Sequence, residues 1–526
     1  MTRQADASAH DGAVRYDTIV AGAGVAGLTV AHELAGRGYR VLVLEAADRV
    51  GGVVARLELD GLALDAGAES FATRGGAVAE LAAELGLGDD IVSPNPAGAW
   101  LQLPGDGAST RTVPLPKQTL LGIPAVPLAR DVIDALGWGG ALRAYADRLM
   151  PVLKIGKDDA LGPLVRRRMG RRALDRLVAP LAGGVYSADP DLLDVAVVAP
   201  GLNNAITKAG SLSGAVALVL EERGSAGRPG SAVQGIRGGM HRLTAALADR
   251  ARDHHADVRT GVRVESAAKT DTGWSVQTDA GAFAASSLVV ALPEREARRA
   301  LAVVDGFAPH PPLAHGRRRD AGAPGVTVEL VTLVFPPGAV DGDPRGTGVL
   351  VAADVTQVRA KALTHSSAKW PWLREAADGR EIVRLSYGSG VAAPPTEGLD
   401  DEAAAALALE DARSILGVAL PQPVASARVR WEQGQPSSVV GAKARQRAMR
   451  DAAAQHATLE VVGAAVAGTG LAQVVPHARE AALRIRRERF AIAGTPWTRD
   501  LDDETGETVP DDASGTERQQ DERGEP

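Results

Sequence analysis

The stretch at residues 16–52, YDTIVAGAGVAGLTVAHELAGRGYRVLVLEAADRVGG, contains the pattern that decides the fold. A short apolar run ends at a G-x-G-x-x-G motif, apolar residues then recur at helical spacing, and a second apolar run follows. This order predicts strand, turn, helix and strand: Gly22 permits the turn, Gly24 lets the backbone approach a pyrophosphate, and Gly27 lets the helix pack on the strand. Glu45, about 20 residues further on, can accept the hydroxyls of an adenosine ribose. The stretch therefore predicts a dinucleotide site, with the pyrophosphate at the free amides of the helix N-terminus.

An arginine and two glycines directly after this unit favour FAD over NAD. Arg49-Val50-Gly51-Gly52 follows Glu45 after three residues and resembles the R-x-G-G extension of the flavoprotein family of amine oxidases, carotenoid desaturases and porphyrinogen oxidases. In that reading the arginine lies near the phosphates, and the glycines let the backbone pass close to the flavin. Two alternatives remain: the first glycines serve only close packing, and Arg49 precedes an ordinary turn.

The composition is that of a globular chain without sulfur chemistry. The 526 residues are 45% hydrophobic and 23% charged, which suits two or three domains with a large core. Because no cysteine is present, disulfides, thiolate catalysis, iron–sulfur clusters and a cysteinyl-linked flavin are excluded, and FAD is expected to bind non-covalently. The amino end lacks the apolar core of a secretory signal, and no run of about 18 apolar residues suggests a membrane span. We therefore expect a cytoplasmic protein.

The net charge of −7 is concentrated near the carboxyl end. Residues 499–526 contain eleven Asp or Glu and three Arg, which gives −8 there and leaves +1 for residues 1–498. This segment has almost no large apolar residue, so it is expected to be disordered. The rest is nearly neutral and has no basic stripe, so nucleic acid is not an expected partner.

The region after the first unit predicts a loop and then a mostly helical insertion. Gly61–Phe71 predicts a strand and a loop, followed by Arg74 and an amphipathic helix over Gly76–Gly86. Prolines punctuate the chain from about Asn95, and the helices predicted beyond them are Asp131–Leu136, Asp158–Val178 and Leu192–Ala205. The arginine cluster within Arg166–Arg172 is interpreted as a solvated helix face, with docking on anionic lipid or a partner and steering of an anionic substrate as alternatives.

The second half predicts a return to the first domain and then a β-rich domain. After a Gly-Gly turn, a helix is expected over Met240–Ala251, with strands over Val258–Val264, Trp274–Thr278 and Leu288–Pro293. Apolar runs at Val326–Phe335, Gly348–Ala353 and Glu381–Tyr387 favour a mostly antiparallel sheet, and Asp401–Leu416 has the pattern of an amphipathic helix.

A late glycine turn predicts a second cofactor contact. In LEVVGAAVAGTGLAQVVPHAR, Leu459–Arg479, a strand ends at Gly463, a flexible turn follows over Gly468–Leu471, and a helix is expected to begin near Pro476. A helix N-terminus directed at the flavin would stabilise the anion of the reduced ring by roughly 0.3 to 1 kcal/mol. An ordinary crossover between strand and helix is the alternative.

Taken together, these segments resemble the oxygen-dependent porphyrinogen oxidases of haem synthesis over about residues 16–487. The most specific points are LAGGVYSADP at Leu181–Pro190, the Ser-x-Lys-Trp-Pro run at Ser367–Pro371, and Arg428-Val429-Arg430-Trp431. The resemblance implies a fold like that of monoamine oxidase: α/β, with a Rossmann-type FAD-binding domain interleaved with a β-rich substrate domain and a mostly helical inserted domain. Among the branches, the chain is most similar to bacterial coproporphyrinogen III oxidases.

The resemblance also implies the site. The loop Gly67–Ser70 would lie beneath the flavin, the backbone of Val264 would meet adenine, and Arg74 and Lys369 would bind substrate carboxylates. The chain departs from the family pattern at Ala68, where proline is usual, and at Ala472-Gln473, where Pro-Asp is common. The candidate cofactor-binding residues are Gly22, Gly24, Val25, Ala26, Gly27, Glu45, Ala46, Arg49, Gly51, Gly52, Gly67, Ala68, Glu69, Ser70, Val264, Gly463, Thr469, Gly470, Leu471 and Val475.

The implied reaction is oxidation of coproporphyrinogen III to coproporphyrin III by FAD and O2, with release of hydrogen peroxide. No catalytic side chain or metal site is expected, because ten scattered histidines form no ligand cluster and the flavin carries the redox chemistry. The alternatives are protoporphyrinogen IX oxidation, an amine oxidase or carotenoid desaturase, and a flavin-binding assembly factor that passes porphyrin on without oxidising it. Expected partners are the porphyrinogen and O2; transient contact with the next haem-pathway enzyme and peripheral membrane contact stay open.

The expected domain boundaries follow from these assignments. They are 1–14, a disordered N-terminus; 15–92, 209–300 and 436–490, three parts of the FAD-binding domain; 93–208, the helical insertion with segments of the substrate domain; 301–435, the substrate domain; and 491–526, the acidic disordered tail.

Overall fold

The computed structural model describes residues 15–107, 109–150, 160–222, 232–307, 326–388, 393–433 and 438–492. The predicted disordered segments, 1–14 and 491–526, lie outside these residues, except that the last helix extends to Ile492. Within the described ranges, none of the helices has the length and apolarity that a bilayer span requires.

Strands and helices alternate along most of the described chain. The strands are β1 (Tyr16–Ala21), β2 (Val41–Leu44), β3 (Arg56–Leu59), β4 (Leu62–Asp65), β5 (Phe71–Ala72), β6 (Ile91–Val92), β7 (Ala99–Pro104), β8 (Thr110–Pro114), β9 (Thr119–Leu120), β10 (Ile123–Pro124), β11 (Val233–Ile236), β12 (Asp257–Arg259), β13 (Val264–Thr270), β14 (Gly273–Thr278), β15 (Gly281–Val290), β16 (Val326–Phe335), β17 (Gly348–Val351), β18 (Ala362–His365), β19 (Glu381–Tyr387), β20 (Ala425–Gln433) and β21 (Leu459–Val461). The helices are α1 (Val25–Ala35), α2 (Ala77–Glu84), α3 (Arg130–Tyr145), α4 (Leu161–Met169), α5 (Arg171–Ala173), α6 (Ala179–Tyr186), α7 (Val195–Val198), α8 (Leu202–Ala209), α9 (Leu212–Glu222), α10 (His241–Asp253), α11 (Glu294–Ala300), α12 (Ser366–Lys369), α13 (Pro371–Ala376), α14 (Asp401–Leu416), α15 (Ala442–Ala453), α16 (Ala464–Ala467) and α17 (Leu471–Ile492).

The first sheet is assembled from three separate parts of the sequence. Its order is β12-β2-β1-β15-β14-β13, and β21 pairs in parallel with the end of β15. On one face, Val20, Val43 and Val289 pack against α1, α10 and α17. On the other, Ile19 and Leu42 pack with Trp274 and the region of α15. Both faces are covered, which explains why β1 and β2 are continuous apolar runs rather than alternating ones.

The second sheet contains the predicted β-rich runs and two strands from the proline-rich region. Its order is β20-β16-β19-β18-β17-β7-β8, antiparallel except between β17 and β7. Helix α14 covers one face and spans the predicted residues Asp401–Leu416, because the side chain of Asp400 accepts the amide of Ala403 at 2.8 Å and caps its start. The fold class expected from the sequence, an α/β protein with an interleaved β-rich sheet and a helical layer, is confirmed.

Some predicted element boundaries were wrong, and glycines explain several of them. The single helix expected over Asp158–Val178 is broken at Gly170, whose φ is +90°, and the one expected over Leu192–Ala205 is divided at Gly201, whose φ is +88°. Only glycine adopts such angles readily, so Gly170 ends α4, whereas Gly201 begins α8 after α7 has already ended at Val198. The strand expected over Val258–Val264 stops at Arg259, and Val264 instead begins β13.

The arginine cluster is not one solvated face. Arg166 pairs with Asp191 and Arg171 with Asp175 at the surface, but the Arg168 side chain is only 6% exposed and pairs with the fully buried Asp147. Asp147 also accepts the backbone amide of Ser213 at 2.9 Å. The pair therefore joins the start of the helical layer to α4 and α9, a structural role that the sequence did not predict.

Arg168→Met should lower the free energy of unfolding by about 3 to 5 kcal/mol, because it leaves the buried Asp147 carboxylate without its counter-charge. The matched control is Arg171→Met, which removes an arginine that is 84% exposed and should change stability by less than about 1 kcal/mol. Denaturant unfolding of both variants measures the difference, and equal effects would contradict the structural role of Arg168.

Candidate functional site

The first glycine motif forms a close contact between β1 and α1. Gly22 has φ +102°, and a Cβ there would lie 2.7 Å from the carbonyl oxygen of Ala291. A Cβ on Gly27 would lie 2.0 Å from the carbonyl oxygen of Gly22, so only glycine lets the helix pack this closely. At Gly24, by contrast, a Cβ would meet no atom within 4 Å. The middle glycine therefore borders open space, as expected for the position that approaches a pyrophosphate.

The N-terminus of α1 has no side chain of its own to satisfy its amides. Gly24 is the N-cap, no side-chain hydrogen bond caps the helix, and its first turn contains no acidic residue. The first amides of a helix, here including those of Val25 and Ala26, have no carbonyl partner within the helix. The helix end thus offers uncompensated donors and the positive end of its dipole to an anionic group.

Glu45 lies beside this helix end. One of its carboxylate oxygens accepts a hydrogen bond from the amide of Ala23 at 2.8 Å, and the other accepts one from the amide of Ala47 at 2.9 Å. Ala46, which lies between Glu45 and Ala47 in the sequence, is exposed. The backbone of Glu45 also accepts the amide of Val262 at 2.8 Å, in the loop that leads to Val264. A carboxylate has about four lone-pair sites, so two hydrogen bonds leave it able to accept ribose hydroxyls.

The R-x-G-G segment is bonded directly to the first glycine turn. The amide of Gly51 donates to the carbonyl of Ala23 at 2.8 Å, and Gly24 and Gly51 form an isolated parallel bridge. A Cβ on Gly52 would lie 3.6 Å from the Cα of Gly24. The Arg49 side chain is about half exposed and pairs with Asp48 at 3.1 Å. The two glycines are therefore part of the site, and the Arg49 guanidinium faces solvent in this structure.

The predicted flavin loop continues this chain of backbone contacts into the second sheet. The amide of Ala68 donates to the carbonyl of Val53 at 2.8 Å. Across the loop, Arg384 of β19 donates to the carbonyl of Gly67 at 2.9 Å, and the Trp431 indole of β20 donates to the carbonyl of Ala66 at 3.1 Å. The loop is thus held on one side by the R-x-G-G segment and on the other by the second sheet.

Glu69 and the two cations around it lock the loop in place. Its carboxylate lies 2.7 Å from the Lys369 ammonium and 3.3 Å from the Arg384 guanidinium. Burial opposes ionisation of Glu69, but the charges of Arg384 and then Lys369 outweigh it and lower the pKa to about 2. The predicted substrate residue Lys369 is therefore paired with a loop carboxylate. A cavity of about 30 Å³ beside Glu69 has room for a water molecule, not for a tetrapyrrole.

The late glycine turn reaches the same place. A Cβ on Gly463 would lie 3.5 Å from the Cβ of Ala26 in α1. Gly468 and Gly470 have φ of +102° and +105°, and α17 begins directly afterwards at Leu471. The expected start near Pro476 was wrong, because α17 contains that proline in its interior. The turn residues Thr469, Gly470 and Leu471 therefore stand at the helix N-terminus, whereas the side chain of Val475 is buried in the core.

The sequence analysis named Arg74 as a candidate site residue but not Arg384. Arg74 is exposed in the turn after β5, and no ion pair joins it to another described residue. Arg384 was not predicted, although the sequence contains a signal: it is the only charged residue between Ile382 and Tyr387, inside an apolar strand. Such a residue marks a position where a strand faces something polar, here the carbonyl of Gly67.

Gly51 thus bonds to the first glycine turn, and Gly463 lies beside Ala26 at the start of α1. Together with the parallel strands β1 and β2, this arrangement defines a Rossmann-type dinucleotide-binding flavoprotein. The family described as flavin containing amine oxidoreductase matches residues 25–485. The chain belongs to this family, and its cofactor is FAD.

Individual relatives refine this similarity. A coproporphyrinogen III oxidase of Mycobacterium tuberculosis is 31% identical over 425 residues, which cover 79% of this chain and 86% of the relative. A coproporphyrinogen III oxidase of Bacillus subtilis is 25% identical over 479 residues, covering 88% and 96%. A protein of Exiguobacterium sp. 255-15 with a known crystal structure has the same fold, with a TM-score of 0.75, 24% identity and coverage of 91% of this chain and 100% of that one.

The glycines of the first motif should separate folding from cofactor binding. Gly27→Ala should destabilise the FAD-free protein by about 1 to 3 kcal/mol, because its Cβ would collide with the carbonyl of Gly22. Gly24→Ala should leave the stability of the FAD-free protein nearly unchanged and weaken FAD binding by about tenfold or more, since its Cβ enters only the open space. Thermal unfolding and FAD titration by flavin fluorescence measure the two effects. If both variants behave alike, the open space at Gly24 is not the cofactor position.

Proposed function

We propose that this protein oxidises coproporphyrinogen III to coproporphyrin III with FAD and O2, as a step of haem biosynthesis. The observation that carries the proposal is the similarity to coproporphyrinogen III oxidases over most of the chain. The contacts of Gly51 and Gly463 with the first glycine turn and α1 agree with it, because these segments provide the bare backbone that a flavin dinucleotide needs.

We assign the cofactor contacts by position. The first turn of α1, from Gly24 to Gly27, would hold the pyrophosphate, and Glu45 would accept the ribose hydroxyls. The loop Gly67–Ser70 and the turn Thr469–Leu471 would border the flavin ring, with the amides at the start of α17 favouring negative charge on it. A Cβ on Gly67 would lie 2.3 Å from the carbonyl oxygen of Val53, and Gly470 has φ +105°, so each assignment agrees with the presence of a glycine at its turn.

FAD bound by these residues would supply the redox chemistry, with O2 as the electron acceptor and hydrogen peroxide as the second product. The side chains of this protein bind and orient the substrate. No group of three or more potential metal ligands occurs in the described part of the chain. The positively charged side chains described above are the groups that could bind an anionic substrate.

Of the two cations predicted to bind substrate carboxylates, the structure favours Arg74. Lys369 is already neutralised by Glu69 at 2.7 Å, so its main effect is to fix the flavin loop. Arg74 is exposed and free of any ion pair with the described residues. It follows the flavin loop by only four residues, which places an available guanidinium close to that loop.

Aerobic assays of both porphyrinogens test the proposal. The FAD-loaded protein should convert coproporphyrinogen III to its fluorescent porphyrin, with peroxide formed in parallel, and should use protoporphyrinogen IX less well. The matched control is the Gly24→Ala variant without added FAD, which should oxidise coproporphyrinogen III slowly because it binds FAD weakly. Peroxide from amines without porphyrinogen oxidation would favour an amine oxidase, and absence of turnover with bound FAD would favour a porphyrin-carrying assembly factor.

Arg74→Ala should raise KM for coproporphyrinogen about tenfold to a hundredfold, because it removes a charged hydrogen bond worth roughly 1.5 to 3 kcal/mol. FAD content should not change. Arg130→Ala, which removes an exposed arginine on α3, is the control and should leave KM unchanged. Steady-state kinetics on both variants measure the effect, and an unaltered KM would remove Arg74 from the substrate site.

A further inference from the structure

One lysine beside the second sheet forms no ion pair with the residues that the structure describes. The ammonium of Lys361 lies 3.1 Å from the hydroxyl of Ser187, and no carboxylate of the described chain forms an ion pair with it. Burial lowers its pKa to about 8. Lys369, in contrast, is paired with Glu69. Lys361 is partly buried, and the partner of its ammonium among the described residues is a neutral hydroxyl, so an anion that arrives from outside would stabilise it.

The position of Lys361 is at one end of an open sheet surface. Residues paired across neighbouring strands share a face, so Leu330, Ser386, Ala362 and Leu350 form one row. They lie on the same face as Arg384, and all four are partly exposed. We call this row the open band. It is a surface of small or apolar side chains, which suits one side of a flat macrocycle.

The two ends of this surface differ. Arg384 contacts the flavin loop at Gly67 and is two residues, about 7 Å, from the open band along β19. At the far end of the band, α6 packs close to Leu350, since a Cβ on Gly184 would lie 2.8 Å from that side chain. Ser187, the hydrogen-bond partner of Lys361, directly follows α6. The ammonium is therefore at the rim that faces the helical layer.

The backbone that carries Lys361 is fixed. The buried carboxylate of Asp411 in α14 accepts the amides of Arg359 and Ala360 at 3.1 and 2.9 Å, and the hydroxyl of Tyr387 at 3.0 Å. Lys361 itself donates its amide to the carbonyl of Ser386 at 2.9 Å. The ammonium is thus presented from an ordered segment, which makes it suitable for recognising a ligand at a defined distance from the flavin loop.

We propose that Lys361 binds a propionate carboxylate of the substrate at this rim and thereby selects coproporphyrinogen over protoporphyrinogen. The inference rests on the proposed function and names the group that sets its specificity. Coproporphyrinogen carries four propionates, whereas protoporphyrinogen has vinyl groups in place of two of them. A vinyl group cannot neutralise an ammonium, and a site with an unsatisfied polar group rejects a ligand that lacks its partner.

The test compares Lys361→Met with Lys361→Arg in the FAD-loaded full chain. Lys361→Met should lower kcat/KM for coproporphyrinogen about tenfold to a hundredfold, mainly through KM, and leave kcat/KM for protoporphyrinogen unchanged or raised. Lys361→Arg keeps the charge and should keep most of the preference. Fluorescence titration with the two products, coproporphyrin III and protoporphyrin IX, should show the same selective loss of affinity.

Stability gives a second, independent readout. Removing an uncompensated buried charge should leave the thermal unfolding midpoint of Lys361→Met equal or higher, whereas a lysine with only a structural role would lower it. Lys361→Gln provides a second uncharged variant. Equal losses on both substrates, or no loss on coproporphyrinogen, would overturn the inference. If the wild-type protein oxidises neither porphyrinogen, the proposed function itself fails, and the two failures are thereby distinguished.

Discussion

The contact between Gly27 and the carbonyl of Gly22 is the constraint on which the rest of the site depends. A Cβ on Gly27 would lie 2.0 Å from this carbonyl oxygen, which leaves no room for any side chain. Helix α1 therefore packs on β1 more closely than it could with any other residue at this position. That closeness aims the first amides of α1 at the open space beside Gly24. The Gly51 amide bonds to Ala23 in the same turn, so the R-x-G-G segment is positioned by it as well. A small local approach therefore sets the location of a cofactor site built from distant segments.

From this point the contacts continue in one direction, from the first sheet to the second. Val53 accepts the amide of Ala68, Arg384 donates to Gly67, and Glu69 pairs with Arg384 of β19 and with Lys369 of α12. Backbone hydrogen bonds join the segments around the first glycine turn, whereas charged side chains hold the loop beside the second sheet. The chemical character of the contacts thus changes along the path from the first sheet to the second.

The sequence predicted what depends on local pattern. The glycine motifs, the run of strands and the helix Asp401–Leu416 follow from residues close in the chain, and the structure has them. It could not predict partners that are distant in sequence, such as Glu69 for Lys369 or Asp147 for Arg168, because a charge pattern does not reveal which residue folding brings opposite it. The start of α17 was also predicted wrongly. A proline often marks the first turn of a helix, but Pro476 lies inside this one.

The pairing of β1 with β15 has a consequence for how the protein is made. Tyr16 lies opposite Ala285, so β1 pairs with a strand that is synthesised about 270 residues later. At a synthesis rate of roughly 5 to 20 residues per second, that interval lasts on the order of 15 to 50 s. Until then one edge of β1 is unpaired and exposed to other nascent chains. We therefore expect FAD to bind late in biosynthesis. A chain truncated before β15 is expected to aggregate rather than to bind FAD.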